Sequence, residues 1–132
     1  MLLDARQLPD GAELVSDICV VGAGAAGIAF AREFAGGPRS LCVIESGGLE
    51  IDAQTQSLYE GESIGHPYDL AKTRLRFFGG STNHWNGACR PLDPIDFSSR
   101  AWVPESGWPI TSSDLVPYYE RAQDVCGLGP YR

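Results

Sequence analysis

The sequence predicts an α/β fold, with a parallel βαβ unit near the N-terminus, then Gly- and Pro-rich loops and a final helix. Three observations carry this expectation. A short β-branched run, DICVV (17–21), passes directly into Gly22-Ala23-Gly24-Ala25-Ala26-Gly27. An apolar segment at helical spacing follows and is stopped by Gly36-Gly37-Pro38, where glycine suits a left-handed cap and proline cannot continue a helix. A second apolar run, Leu41–Ile44, ends at an acid, Glu45. Two such strands joined by a helix pair in parallel, through a right-handed crossover.

Taken in order, the first dozen residues are polar, and Pro9-Asp10-Gly11 is a turn leading into the first regular element. The helix after the glycines places Ile28, Ala31, Phe34 and Ala35 on one face. The βαβ unit spans about 15–48. From Leu49 to Tyr68 the pattern is weak, with a short helix near 53–59 and then loop. Leu75-Arg76-Phe77-Phe78 leads into a second glycine-rich segment, Gly79-Gly80-Ser81-Thr82-Asn83-His84-Trp85-Asn86-Gly87. Arg90-Pro91-Leu92-Asp93-Pro94 is extended or turning, because each proline restrains itself and its predecessor. Thr111 followed three residues later by Asp114 starts a helical segment over about 111–126. That helix is expected to be interrupted near Pro117 and to stop at Gly127.

Bulk properties mainly exclude. A chain of 132 residues has room for one domain or for part of a larger one. Hydrophobic residues at 43% and charged residues at 20% exclude wholesale disorder. The 16 Gly and 9 Pro are the unusual counts, and they fall between apolar runs. A net charge of −7 with scattered basic residues argues against a nucleic-acid partner, since phosphate neutralisation needs clustered Lys and Arg. The longest uncharged stretch, Ile18 to Ala31, is shorter than the ~18–20 residues of a membrane span. The N-terminus lacks the basic-then-apolar order of a signal peptide. Cys19, Cys42, Cys89 and Cys126 are far apart in sequence and show no metal-ligand spacing. Cys19 and Cys42, inside apolar runs, are expected to be buried reduced thiols, and a cytoplasmic location is the expectation.

Gly22-x-Gly24-x-x-Gly27 between a strand and a helix is the dinucleotide fingerprint in its proper setting. The first glycine permits the tight turn and the second lets backbone approach a pyrophosphate. The third lets helix pack on strand. Ala25 and Ala26 keep the turn small, and the helix N-terminus offers free N–H groups to phosphate. Glu45, roughly 20 residues on, is placed to accept from ribose hydroxyls, which favours NAD or FAD over NADP. The competing reading is a glycine-rich turn in an unrelated α/β protein with Glu45 solvated. Spacing alone does not separate NAD from FAD.

The segment RFFGGSTNHWNGACRPLDPIDF, from Arg76 to Phe97, resembles the second N-terminal motif of the glucose–methanol–choline family of FAD-dependent oxidoreductases. The resemblance runs from VVGAGAAG through VIESGG to SGWPITSSDLVPYYERA and covers nearly the whole chain. It implies a Rossmann-like FAD-binding unit with Gly/Pro-rich flavin-contacting loops over about 75–97. It further implies oxidation of a CH–OH group of an alcohol or sugar by hydride transfer to FAD. The electrons then pass to oxygen or another acceptor. On this resemblance Gly22, Gly24, Ala25, Ala26 and Gly27 hold the pyrophosphate, and Glu45 with Ser46 meets the adenosine ribose. Gly79, Gly80 and Ser81 let backbone amides reach the cofactor, and Asn86 is a polar contact near the flavin ring.

His84 occupies a place where some relatives bond the flavin covalently. It is therefore a site of covalent attachment, a lining residue of a non-covalent site, or a loop histidine bonded to backbone. His66, before Pro67, reads as structural or exposed. Trp85, Trp102 and Trp108 with Phe77, Phe78 and Phe97 read as a packing surface, with stacking on cofactor or sugar as the alternative. Lys72, Arg74 and Arg76 read as a solvated face, with Arg76 also placed to support the diphosphate.

The family's proton-abstracting pair, a His with a second His or an Asn, matches no position here, so no catalytic residue is assigned. The chain is expected to be incomplete relative to the full family fold. Its substrate domain and catalytic residues would belong to a C-terminal portion, which is the expected partner along with the small-molecule substrate. Three alternatives stay open: a stand-alone FAD- or NAD-binding module, a non-binding remnant, and an NAD-dependent dehydrogenase.

Overall fold

The computed structural model describes residues 1–131, which fall into two compact units, Met1–Asn86 and a second that begins at Gly87. The predicted loop region 75–97 straddles this division.

In the first unit β1 (Ile18–Val21), α1 (Ala25–Phe34) and β2 (Leu41–Ile44) follow one another as expected. The strands pair in parallel, with Ile18 opposite Leu41, Cys19 opposite Cys42, Val20 opposite Val43 and Val21 opposite Ile44. A reciprocal clasp fixes this register where both strands begin. The Asp17 N–H donates to Ser40 Oγ at 2.9 Å, while the Ser40 N–H and hydroxyl each donate to Asp17 Oδ2 at 2.7 Å. Two short strands with one crossover cover little area. Ala23, at 1% exposure, is the buried hydrophobic residue, whereas Val21 is 82% and Ile44 51% exposed. The expectation of buried cysteines is corrected for the same reason. Cys19 is exposed and Cys42 half-buried, because no further strand or layer covers them in this unit.

α1 begins at Ala25, within the glycine motif itself, and packs Phe30 on Phe34 one turn later, with ring centroids 5.0 Å apart. It ends at Phe34, and Gly36 follows in the left-handed region at φ 78°. α2 (Ala53–Ser57) is capped by Asp52, which accepts from the Thr55 N–H at 2.7 Å. It is shorter than the expected 53–59, and its last residues relax into tighter turn bonds, Leu58 N–H to Thr55 O and Tyr59 N–H to Gln56 O. α3 (Leu70–Thr73) is a single turn in a stretch that the sequence pattern leaves unassigned. Asp69 caps it by accepting from the Lys72 N–H, the one local signal for it.

In the second unit, Pro94 opens a 3-10 turn, Pro94–Phe97, held by reciprocal bonds between Asp93 and Asp96. α4 (Ser112–Cys126) starts from the Thr111–Asp114 capping box and stops at Gly127, φ 66°. The expected break at Pro117 does not occur. Proline forfeits one N–H bond there, and the capping box already fixes the first turn, so the helix runs through.

Candidate functional site

The first glycine loop is fastened by three backbone groups. The Gly22 N–H donates to Ile44 O at 2.7 Å, extending the strand ladder by one bond. Gly22 itself turns at φ 97°, a conformation open to glycine but costly for other residues. The Ala23 N–H donates to Glu45 Oε2 at 2.7 Å, and Ala23 O accepts from the Gly79 N–H at 2.8 Å. The three motif glycines then separate by role. A Cβ on Gly27 would run into the Gly22 carbonyl, so this position answers to close helix–strand packing. A Cβ on Gly24 would meet no protein atom within 4 Å, and its φ of −80° suits any residue. Among the described residues, no contact requires glycine at 24. The space in front of it lies at the N-terminus of α1, whose N-cap supplies no side-chain hydrogen bond to the helix amides.

The second glycine loop lies directly against the first. Gly24 and Gly79 form a parallel bridge, and the Phe78 N–H donates to Gly48 O at 2.9 Å. Gly79 and Gly80 turn at φ 91° and 55° and open the 3-10 turn Gly80–His84. A Cβ on Gly47 would strike the Arg76 carbonyl, so the glycine after Ser46 lets the two segments touch. Asn83 locks the turn, its Nδ2 donating to Phe78 O at 3.1 Å and Gly80 O at 2.9 Å. The Thr82 hydroxyl donates to Gly79 O, and Ser81 Oγ accepts from the Leu75 N–H at 3.3 Å.

Residues remote in sequence thus form one cradle: Gly22–Gly27, Glu45 with Ser46, and Gly79–Ser81. His84 and Asn86 stand at the exit of the turn, both exposed, and the His84 side chain makes no hydrogen bond to the first loop among the described residues. Glu45 is engaged differently from a solvated acid. Besides Ala23, it accepts from the Gly47 N–H at 3.1 Å and the Ser46 hydroxyl at 3.3 Å, so one carboxylate pins both sides of the cradle.

Sequence reasoning missed Gln56, which clamps the strand of chain leading to Gly79. Its Nε2 donates to Ala71 O and Arg74 O, each at 2.6 Å, and its Oε1 accepts from the Arg76 N–H at 3.0 Å. A lone Gln in a short helix carries no local sign of contacts some 20 residues away. Asn83 was equally silent.

Arg76 does not join a solvated face. It is half-buried, with its guanidinium 4.5 Å from the Tyr59 ring centroid and a buried Nε that lacks a partner. Lys72 is exposed and pairs with Asp69 at 3.0 Å. His66 is exposed. Of the aromatic residues, Trp102 is 77%, Trp108 59% and Phe78 49% exposed, whereas Phe77 and Phe97 are half-buried.

The cradle offers small residues and backbone amides at a helix start, donors of the kind that favour an anionic group. Among the described residues no cluster of His, Cys, Asp and Glu could hold a metal ion, and no helix is long and apolar enough to cross a membrane.

No protein-family model matches the chain, and no solved structure matches it. The chain is similar to 6'''-hydroxyparomomycin C oxidase of Streptomyces lividus, with 32% identity over 139 aligned residues. That alignment covers 90% of this chain and 25% of the relative, so the chain spans about a quarter of the length of the curated protein it matches. The partial relative is an oxidase, an oxidoreductase.

Proposed function

We propose that this chain is the FAD-binding N-terminal portion of an oxidoreductase that oxidises CH–OH groups of alcohols or sugars, in the manner of the glucose–methanol–choline family. The observation that carries the proposal is the fusion of two glycine loops into one cradle, with a glycine at position 24 that no protein contact explains. Similarity to an oxidase whose name carries a hydroxyl-bearing compound, 6'''-hydroxyparomomycin C, supports the redox class and a hydroxyl-bearing substrate.

Gly24 to Gly27 would meet the diphosphate through backbone N–H groups, where the helix dipole favours negative charge. Arg76, with its unpartnered Nε, would add a cationic contact from the second loop. Glu45 would meet the ribose through lone pairs left after its bonds to Ala23 and Gly47. Gly79, Gly80 and Ser81 would let the flat ring approach backbone, and His84 and Asn86 would line its edge. Bound flavin would supply the hydride acceptor. The base that removes the alcohol proton is proposed to come from a further portion of the polypeptide, since neither histidine matches that role.

Titration of the purified chain with FAD, followed by quenching of flavin fluorescence, tests this reading. Saturable binding of FAD with weaker binding of NAD is expected. Tighter binding of NAD would favour a nicotinamide-dependent dehydrogenase, and absence of saturable binding to either would leave a non-binding remnant. His84 is tested separately on a denaturing gel. Flavin fluorescence that stays with the chain and disappears in His84→Ala would place a covalent bond at this residue.

A further inference from the structure

The second unit contains an open cleft of about 470 Å³, with Asp96, Arg100, Glu105 and Trp108 among its lining residues. Its size falls in the ~300–1,000 Å³ range of small-molecule sites. Local bonds fix the loop that forms it. Arg100 and Val103 pair in an antiparallel bridge, and the Ser106 hydroxyl accepts from the Arg100 N–H at 2.7 Å and donates to Arg100 O at 3.1 Å. Gly107, at φ 89°, lies so close to the Ser98–Ser99 backbone that a Cβ would collide with it. The same loop holds Glu105 at φ 55°, a left-handed conformation that a non-glycine residue adopts only at a cost. Two opposite charges line this cleft without meeting. Among the described residues neither the Arg100 guanidinium nor the Glu105 carboxylate has a hydrogen bond or ion pair, and Arg100 Nε is buried with no acceptor. Trp108 beside them stays largely exposed.

We propose that this cleft is a carbohydrate subsite, holding one neutral sugar ring on Trp108 with its hydroxyls shared between Arg100 and Glu105. The lining selects the ligand by its chemistry. An inorganic anion would face Asp96 and Glu105 there, and a simple cation would face Arg100. A carboxylate only accepts hydrogen bonds and a guanidinium only donates them, whereas a hydroxyl does both. A polyhydroxylated ring therefore satisfies both charges at once without carrying one. Trp108 adds an apolar face against which the C–H side of such a ring packs. The bonds of Ser106 and the close approach at Gly107 set the loop before any ligand arrives, which lowers the ordering cost of binding. The cleft's role as a substrate subsite rests on the oxidoreductase reading, and it narrows that reading from alcohols or sugars to sugars. The binding itself needs no flavin.

The test titrates the full chain, without flavin, with methyl β-D-glucopyranoside and follows saturation transfer to the sugar protons by NMR. Saturable binding is expected, with the strongest transfer at ring C–H protons. Trp108→Ala should weaken it roughly 10-fold, whereas Trp102→Ala, outside the cleft, should bind as the parent does. Glu105→Gly separates binding from folding. Glycine suits φ 55°, so the urea midpoint should match or exceed the parent's while affinity falls roughly 10-fold with the lost acceptor. No saturable binding of the glucoside, unchanged affinity in Glu105→Gly, equal loss in Trp102→Ala, or tighter binding of glycine or inorganic phosphate would each overturn the proposal. Flavin is absent throughout, so loss of this signal and failure of FAD to bind the cradle are separate results.

Discussion

Replacing Glu45 by alanine should destabilise the first unit by about 2–4 kcal/mol. The substitution removes an acceptor shared by the Ala23 N–H at 2.7 Å and the Gly47 N–H at 3.1 Å. Ala23 is 1% exposed, so water cannot replace the lost partner. A hydrogen bond to a charged group contributes ~1.5–3 kcal/mol, and the more accessible Gly47 bond adds ~0.5–1.5 kcal/mol. At 1.4 kcal/mol per factor of ten, the folding equilibrium falls roughly 30- to 1,000-fold. Urea unfolding followed by far-ultraviolet circular dichroism reads this as a lower midpoint at unchanged slope. Glu45→Gln keeps one carbonyl oxygen and should recover about half of the loss. If Glu45→Ala unfolds at the parent midpoint, the carboxylate does not pin the cradle and the reasoning fails.

The glycines of the first loop give a paired prediction. Gly24→Ala should leave the urea midpoint within about 0.5 kcal/mol of the parent while weakening FAD binding at least ~10-fold, whereas Gly27→Ala should cost ~1–3 kcal/mol of stability from crowding against Gly22. Equal FAD affinity in Gly24→Ala and the parent would remove the ligand from in front of that residue. Gln56→Ala should raise hydrogen exchange at the Arg76 amide and speed proteolysis over 70–76, because three hydrogen bonds of ~1 kcal/mol each are lost; an unchanged Arg76 exchange rate would show that the clamp is idle. Asp17 is held below its ordinary carboxylate value of 3.8, first by the Ser40 hydroxyl and then by the Ser40 N–H. A depressed carboxylate contributes stability above its unfolded pKa and loses it as pH falls through the folded value. Asp17→Asn should therefore flatten the acid side of a plot of urea midpoint against pH, and an unaltered acid limb would count against the clasp.

Much of the first unit was legible because its signals are local. β-Branched runs mark β1 and β2, the glycine spacing marks the turn, and Gly36 marks the end of α1. The capping box at Thr111 and the glycine at 127 delimit α4 for the same reason. Pro117 misled because the proline rule describes one lost bond and one steric conflict, while helix continuity depends on the whole run of bonds around it. Burial misled too. An apolar strand reads as buried wherever it occurs, but Cys19 and Val21 are covered only if other strands and layers stand beside them.

The sequence by itself determined which residues are small, which segments turn, and where a strand must hand over to a helix, since these follow from φ freedom and from short-range periodicity. Tertiary structure decided that the two glycine loops are one feature, bridged at Gly24 and Gly79, with Gly47 passing under Arg76. It also decided that Glu45 faces backbone amides and that Gln56 braces a distant segment. Each of these depends on contacts between chain segments 15 or more residues apart. Such contacts are set by how the elements pack, and no local preference encodes them.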